Sequence, residues 1–186
     1  MGSYSDQQSK SIYWYNTAMD LRASAAAVHH AIQCDSDFPT ADYGFPNGFR
    51  MSVACPRSYR MLWGMAFEVL AKAVAVATGE NVREIHRLDD LAEIASVRYS
   101  SEQQAVLKIL SDAIYWHGRY PVPLKEEHWQ KLSSLTRSTL LDEVPLAEGS
   151  DAIVLCPNNK LSWECLDELW SPMMERLFAV ADWIGP

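Results

Sequence analysis

Two charged residues interrupt the longest apolar run of the chain. Glu68 and Lys72 stand four apart within Met61–Ala77, MLWGMAFEVLAKAVAVA, the spacing at which a carboxylate and an ammonium meet on one helix face. Buried there, they need each other or a ligand, and such a pair in an apolar bundle can orient a polar small molecule. Just upstream, Arg50, Arg57 and Arg60 bring cations to the entrance of the same helix. Helix N-termini attract anions and the arginine fork fits phosphate, so this corner is a candidate phosphate site, with three solvated arginines as the plain alternative. A third grouping, Trp116-His-Gly-Arg-Tyr-Pro121, sets Arg119 and Tyr120 just past a helix end. Arg119 can bond the last free carbonyls there and meet the favourable end of the dipole, or it can hold a ligand with Trp116 and Tyr120. His86 stands four before Asp90, which suggests an intrahelical hydrogen bond. His29 and His30 sit near the end of the first helix, where the dipole favours a cation.

The elements that must position these residues read as helices. Leu62, Ala66, Val69, Ala73 and Val76 form one apolar row of the central stretch, and Trp63, Phe67, Leu70 and Val74 form a second. Two rows predict neighbours on several sides. Gly64, Ala71 and Ala75 would let another backbone approach closely, and Gly79 suits a left-handed cap. Ser5 to Gln33 reads as a first helix with a stripe at Trp14, Ala18, Leu21, Ala25, Val28 and Ile32. Residues 34–58 form a long Pro/Gly/aromatic loop in which Phe38, Tyr43, Phe45 and Phe49 are expected to fold back over apolar surface. Asn81-Val-Arg-Glu84 and Ser101-Glu-Gln-Gln104 have capping-box spacing and predict the third and fourth helices. A fifth runs from about Pro123 to Asp142. Residues 144–161 read as an irregular connector, whose Ala152–Cys156 run suggests a strand without a clear partner. Ser162 to Ile184 closes the chain as a helix interrupted at Pro172, with Ser171 as its cap. The expected fold is all-α: residues 1–186 as a single helical domain of five to six helices.

Composition narrows the function classes. Sixteen Lys and Arg stand against 24 Asp and Glu, a formal charge of −8, which disfavours broad, non-specific binding to nucleic acid or anionic membrane. No DNA partner and no membrane association are expected, although a local basic site remains compatible with overall acidity. MGSYSDQQSKS lacks the character of a signal peptide, and Asp6 stands where a myristoylation signal needs Ser or Thr. Met61–Ala77 is short for a membrane span and holds Glu68 and Lys72. These readings predict a cytoplasmic protein. Cys34, Cys55, Cys156 and Cys165 show no metal-ligand spacing, so reduced thiols, no metal and no cofactor are expected. Glycine loops for phosphate, dinucleotide fingerprints, nucleophile elbows and zincin helices are absent.

Three segments occur in a telling order: Glu68-Val-Leu-Ala-Lys72, His86-Arg-Leu-Asp-Asp-Leu91 and Trp116-His-Gly-Arg-Tyr-Pro121. Together they resemble the HEPN superfamily of small helical-bundle proteins, in the region from Met61 to Leu124. The resemblance is to prokaryotic members with an H-x-L-x-x-L segment and a W-x-G-R-Y-P ending. It implies an antiparallel helical bundle, a homodimer, and a defence or toxin–antitoxin context. Many relatives are metal-independent ribonucleases with an Arg-x(4–6)-His motif. In such a motif a histidine of near-neutral pKa removes the 2′-hydroxyl proton, and an arginine stabilises charge developing on the phosphate. This chain departs from the pattern: no histidine falls at that distance after Arg119, His128 comes too late, and His117 precedes the arginine. The expected function is therefore a non-catalytic HEPN-like module that binds a partner protein, a nucleotide or RNA. The alternative is a ribonuclease with a rearranged pair drawn from Arg119, His86 and His117. A small-molecule-binding helical domain is the third reading. Candidate ligand-binding residues are Arg119, Tyr120, Trp116, Glu68, Lys72, Arg57 and Arg60.

Overall fold

The computed structural model describes residues 3–35, 37–81, 84–117, 120–147 and 152–183, the side chain of His117 apart. Its centre is a helix longer than the apolar run suggests, Pro56–Thr78. We number the helices in chain order, so this one is α4, after α1 (Tyr4–Ser9), α2 (Ser11–Gln33) and α3 (Met51–Ala54). Pro56 can open α4 because its fixed φ suits the first helical position and its missing N–H is not needed there. Gly79 ends it at φ 81°, and the N–H of Glu80 returns to the carbonyl of Ala75 at 2.8 Å. Both apolar rows face protein: Trp63, Ala66, Leu70, Ala73 and Val74 are fully buried. By length and apolarity alone α4 could cross a membrane, but here most of its surface is covered by other helices.

The cover comes from several sides. Along α2, Ala18 and Ala25 are buried, small residues that let the two helices lie close. The last helix, α8 (Trp163–Val180), adds Leu166, Leu169, Trp170, Met173 and Leu177. The Arg22 guanidinium of α2 lies 5.3–5.7 Å from the rings of Trp63, Trp163 and Trp170 and pairs with Asp167. A cation over tryptophan faces adds attraction to the packing, a role for Arg22 that nothing in its sequence neighbourhood announces. Gly64 meets the next layer: a β-carbon there would sit 2.7 Å from the Leu110 carbonyl oxygen and 2.9 Å from the Ile114 side chain. That glycine is what lets α6 (Ser101–Asp112) cross α4 closely.

Several boundaries differ from the sequence reading, each for a local reason. The first helix breaks at Lys10, whose φ of −106° and ψ of 121° are extended. Asp6 caps α1 with Ser3 and pairs with the Lys10 ammonium at 2.7 Å. The third helix, α5 (Leu88–Ile94), begins well after Asn81, because His86 is drawn to α4 instead of joining a helix. The capping box of α6 is Ser100 with Gln103, one residue before the expected match. Past Asp112 the helix widens into a π-helical turn, Ala113–His117. The fifth long helix, α7, spans Glu126–Leu140 and not Pro123–Asp142.

The fold is mainly helical, as expected, and to the helices it adds one β-hairpin. Strand β1 (Leu141–Pro145) pairs antiparallel with β2 (Ile153–Pro157), so the suspected strand finds its partner directly after α7. Asn158 N–H bonds Leu140 O and Leu146 N–H bonds Ala152 O. In an antiparallel ladder this phase turns the backbone groups of Pro145 and Pro157 away from the partner strand. Prolines at outward positions remove donors from both exposed edges and discourage further strand pairing.

Pro172 does not interrupt α8. Ser162 caps the helix by accepting the Cys165 N–H, and the Ser171 hydroxyl bonds the Asp167 carbonyl at 2.9 Å instead of capping a new helix. Burial of Trp170, Met173 and Leu177 outweighs the roughly 3 kcal/mol that an internal proline costs. The 34–58 stretch holds a 3-10 turn (Thr40–Tyr43), α3 and the start of α4. Its anchor is Asp35, which accepts the Ser52 N–H at 2.9 Å, the Ser52 hydroxyl at 2.8 Å, and Arg50 Nε–H. The loop aromatics stack on each other, Phe45 with Phe49 at 4.2 Å and Phe38 with Tyr43 at 5.8 Å. Tyr43 is exposed, so the expected cover of apolar surface is made by pairing within the loop.

Candidate ligand-binding site

The π-helical turn Ala113–His117 presents Trp116 at the junction of α4, α6 and α7. A π turn adds a residue to the helical circuit and so re-aims the side chains beyond it; such turns are frequent at functional sites. On one side of Trp116 a groove of about 420 Å³ runs between the first turn of α4 and α7. It brings together four residues singled out in the sequence, Arg57, Arg60, Trp116 and Tyr120, and adds Trp129 and Arg137. On the other side a cavity of about 590 Å³ lies between α6 and α7, with Asp112, His128 and Lys131 on its walls. Trp116 and Leu132 line both. Each volume lies in the range of small-ligand sites.

The electrostatics of the groove are unbalanced. No acidic residue lies in the first turn of α4, and no side chain caps it. Arg57 in that turn and Arg60 just past it oppose the helix dipole. Arg57 donates from Nη1 to the Pro121 carbonyl at 3.2 Å, which holds one wall of the groove to the other. Burial, and then the charge of Arg57, push the Arg60 guanidinium below its ordinary pKa. Among the described residues, no carboxylate pairs with Arg57, Arg60 or Arg137. Arg50, the third arginine of the sequence cluster, is instead spent on Asp35 and does not line the groove.

Glu68 and Lys72 form a separate centre. Both are buried in α4, and Lys72 Nζ donates to Glu68 Oε1 at 2.7 Å. The same oxygen accepts from His86 Nδ1 at 2.9 Å. His86 therefore bonds across to α4, correcting the intrahelical bond expected with Asp90. The three side chains form an acid–base knot that anchors the chain entering α5. Lys72 also lines a shallow cavity of about 410 Å³ with Trp14 and Glu80. His86 lies 6.1 Å from the Tyr115 ring, edge to face, and Tyr115 in turn borders the Asp112 cavity.

Of the remaining candidates, Arg119 and the His117 side chain lie outside the described residues. Sequence reasoning set His128 aside on spacing and missed Asp112, Lys131 and Arg137. The signal was on α7: His128, Lys131 and Leu135 recur at helical steps on one face, and Trp129, Ser133 and Arg137 recur on the next. The four thiols are free, with Cys34 Sγ 3.7 Å from the His30 ring. Among the described residues, no three His, Cys, Asp or Glu side chains converge to hold a metal. Comparison with protein-family models, with curated proteins and with solved structures finds no match to this chain.

Proposed function

We propose that this protein is a non-catalytic HEPN-like binding module whose ligand is single-stranded RNA, held by the arginine groove and stacked against Trp116. The observation that carries the reading is the set of three guanidinium groups, Arg57, Arg60 and Arg137, lining one groove without a carboxylate partner among the described residues. Cations gathered without counter-charge are costly unless an anion completes them. Planar forks match phosphate oxygens. The exposed rings of Tyr120 and Trp129 beside the groove, 41% and 48% accessible, offer faces on which unpaired bases stack. The net charge of −8 confines attraction to this local face and disfavours coating of nucleic acid generally. The resemblance of the Glu68–Lys72, His86–Leu91 and Trp116–Pro121 segments to HEPN proteins points the same way, and implies a homodimer in a defence or toxin–antitoxin setting.

The test is binding of a labelled mixed-sequence single-stranded RNA, followed by fluorescence anisotropy, with duplex DNA and a mononucleotide as competitors. Saturable binding displaced by RNA and weakened in Arg60→Ala supports the reading. Displacement by the mononucleotide alone would make the ligand a nucleotide, and no binding to any of the three would overturn it.

One observation favours a second reading, a metal-independent endoribonuclease. His128, and not His86, borders a cavity beside Trp116 together with Arg87 and Lys131. A histidine so placed could take the 2′-hydroxyl proton while the arginines of the adjoining groove, on the other side of Trp116, hold the phosphate. Incubation with RNA in EDTA decides it: cyclic-phosphate ends lost in His128→Ala would establish cleavage, and intact RNA would remove it.

A further inference from the structure

The cavity on the α6 side of Trp116 differs in kind from the groove. Its floor is apolar, from Leu132 and Leu135, and its wall is aromatic, from Trp116 and Tyr115. Cations stand around it, yet it also holds one carboxylate, Asp112. Among the described residues no hydrogen bond ends on that carboxylate, and burial raises its pKa against the opposing pull of Arg87 and His128. The oxygens of this half-buried carboxylate are not among the buried unpartnered atoms, so they stay open to water or to a ligand in the cavity. The carboxylate is a poor feature for holding phosphate, which it would repel.

Resting on the RNA-binding reading above, we infer that this cavity is a base pocket, and that Asp112 selects guanine. The chemistry of base edges narrows the choice. A carboxylate presents two acceptors side by side and needs two adjacent donors. Guanine offers them on its Watson–Crick edge, N1–H beside the N2 amino group. Adenine and cytosine each place an acceptor next to a single amino group, and uracil sets one N–H between two carbonyls. An unstacked base read on that edge, with its face against an aromatic ring, is the usual mode of single-strand recognition. Trp116 borders both spaces, so a guanine stacked on it would leave its own phosphate at the mouth of the arginine groove. Lys131, also on the cavity wall, would receive the neighbouring phosphate, since Lys108 already meets Asp89 at 4.0 Å.

The experiment measures the affinity of the full chain for four RNA oligonucleotides, homopolymers of A, C and U and an unstructured G-containing repeat, in the parent, Asp112→Asn and Arg60→Ala forms. The parent should prefer the G-containing strand by about 10-fold, the scale of one good paired contact. Asp112→Asn, which keeps shape and removes one acceptor, should abolish that preference while binding the other strands within about 3-fold of the parent. Arg60→Ala should weaken all four together and leave the preference in place. No base preference in the parent, or a uniform gain for every strand in Asp112→Asn, would overturn the base-pocket inference while leaving the groove intact. Indifference of all four affinities to Arg60→Ala would instead overturn the groove reading itself.

Discussion

Arg57 and Pro121 are joined by a hydrogen bond of 3.2 Å between residues 64 apart in sequence. The bond ties the first turn of the central helix to the segment that follows Trp116, and so joins two walls of the groove. Arg57 thereby supplies both a wall and a charge. Arg57→Lys keeps the charge and loses the planar fork. RNA affinity should fall in this variant by about 3-fold to 10-fold, while Arg57→Ala should fall further and reduce the salt dependence. Equal loss in both variants would assign the effect to the hydrogen bond alone.

Gly64 should tolerate no side chain. Gly64→Ala gains helix propensity, about 1 kcal/mol. It also drives a methyl to within 2.7 Å of the Leu110 carbonyl oxygen. Backbone cannot yield as a flexible side chain would, so net destabilisation of about 1–3 kcal/mol is expected, measured by urea unfolding. Because the clash includes Ile114, in the turn that aims Trp116, RNA affinity should fall as well. A stability equal to or above the parent's would contradict the close crossing of α4 and α6.

The Glu68–Lys72–His86 knot predicts unequal costs. Lys72→Met leaves the Glu68 carboxylate buried with only His86 to answer it, a loss of about 3–5 kcal/mol. His86 is 43% exposed in its side chain, and His86→Ala should cost about 1 kcal/mol, the scale of one ordinary hydrogen bond. The double change Glu68→Leu with Lys72→Met should recover most of what the single change loses. Denaturant midpoints of the three proteins decide the order.

Asp35 predicts how the 34–58 loop responds to acid. The Ser52 backbone N–H, helped by the Ser52 hydroxyl and Arg50, lowers its carboxyl to about 2. The folded pKa lies below the ordinary 3.8, so its contribution is present above pH ~4 and lost as pH falls towards 2. Protection of the Ser52 amide, relative to its intrinsic exchange rate at each pH, should fall across that window in the parent. In Asp35→Asn it should already be low at neutral pH. Unchanged protection at Ser52 in the variant would show that the loop is held elsewhere.

The sequence displayed what depends on neighbours three or four residues away. The two rows of α4, the Gly79 cap and the Glu68–Lys72 pair are of that kind, and Gly64 signalled close approach by its size. What it hid depends on partners far along the chain. Spacing alone pairs His86 with Asp90, because the competing acceptor, Glu68, lies 18 residues back on α4. The 152–156 strand lacked a partner because 141–145 follows a helix directly and carries Asp142 and Glu143, which mask its strand character. Pro172 was read as a break because burial of its neighbours on α4 is invisible locally. The groove was half visible: Arg57, Arg60, Trp116 and Tyr120 were marked separately, but only the fold brings them beside Arg137 and Trp129.

The most direct measurement is RNA affinity as a function of salt for the parent and for Arg60→Ala with Arg137→Ala, with the thermal melt confirming that the variant folds. Each phosphate neutralised on a single strand contributes about −0.7 to the slope of log affinity against log salt. The groove account predicts that the double variant binds at least about 10-fold more weakly at low salt and that its slope is shallower by about 1.4. A folded double variant with the parent's affinity and slope would contradict it.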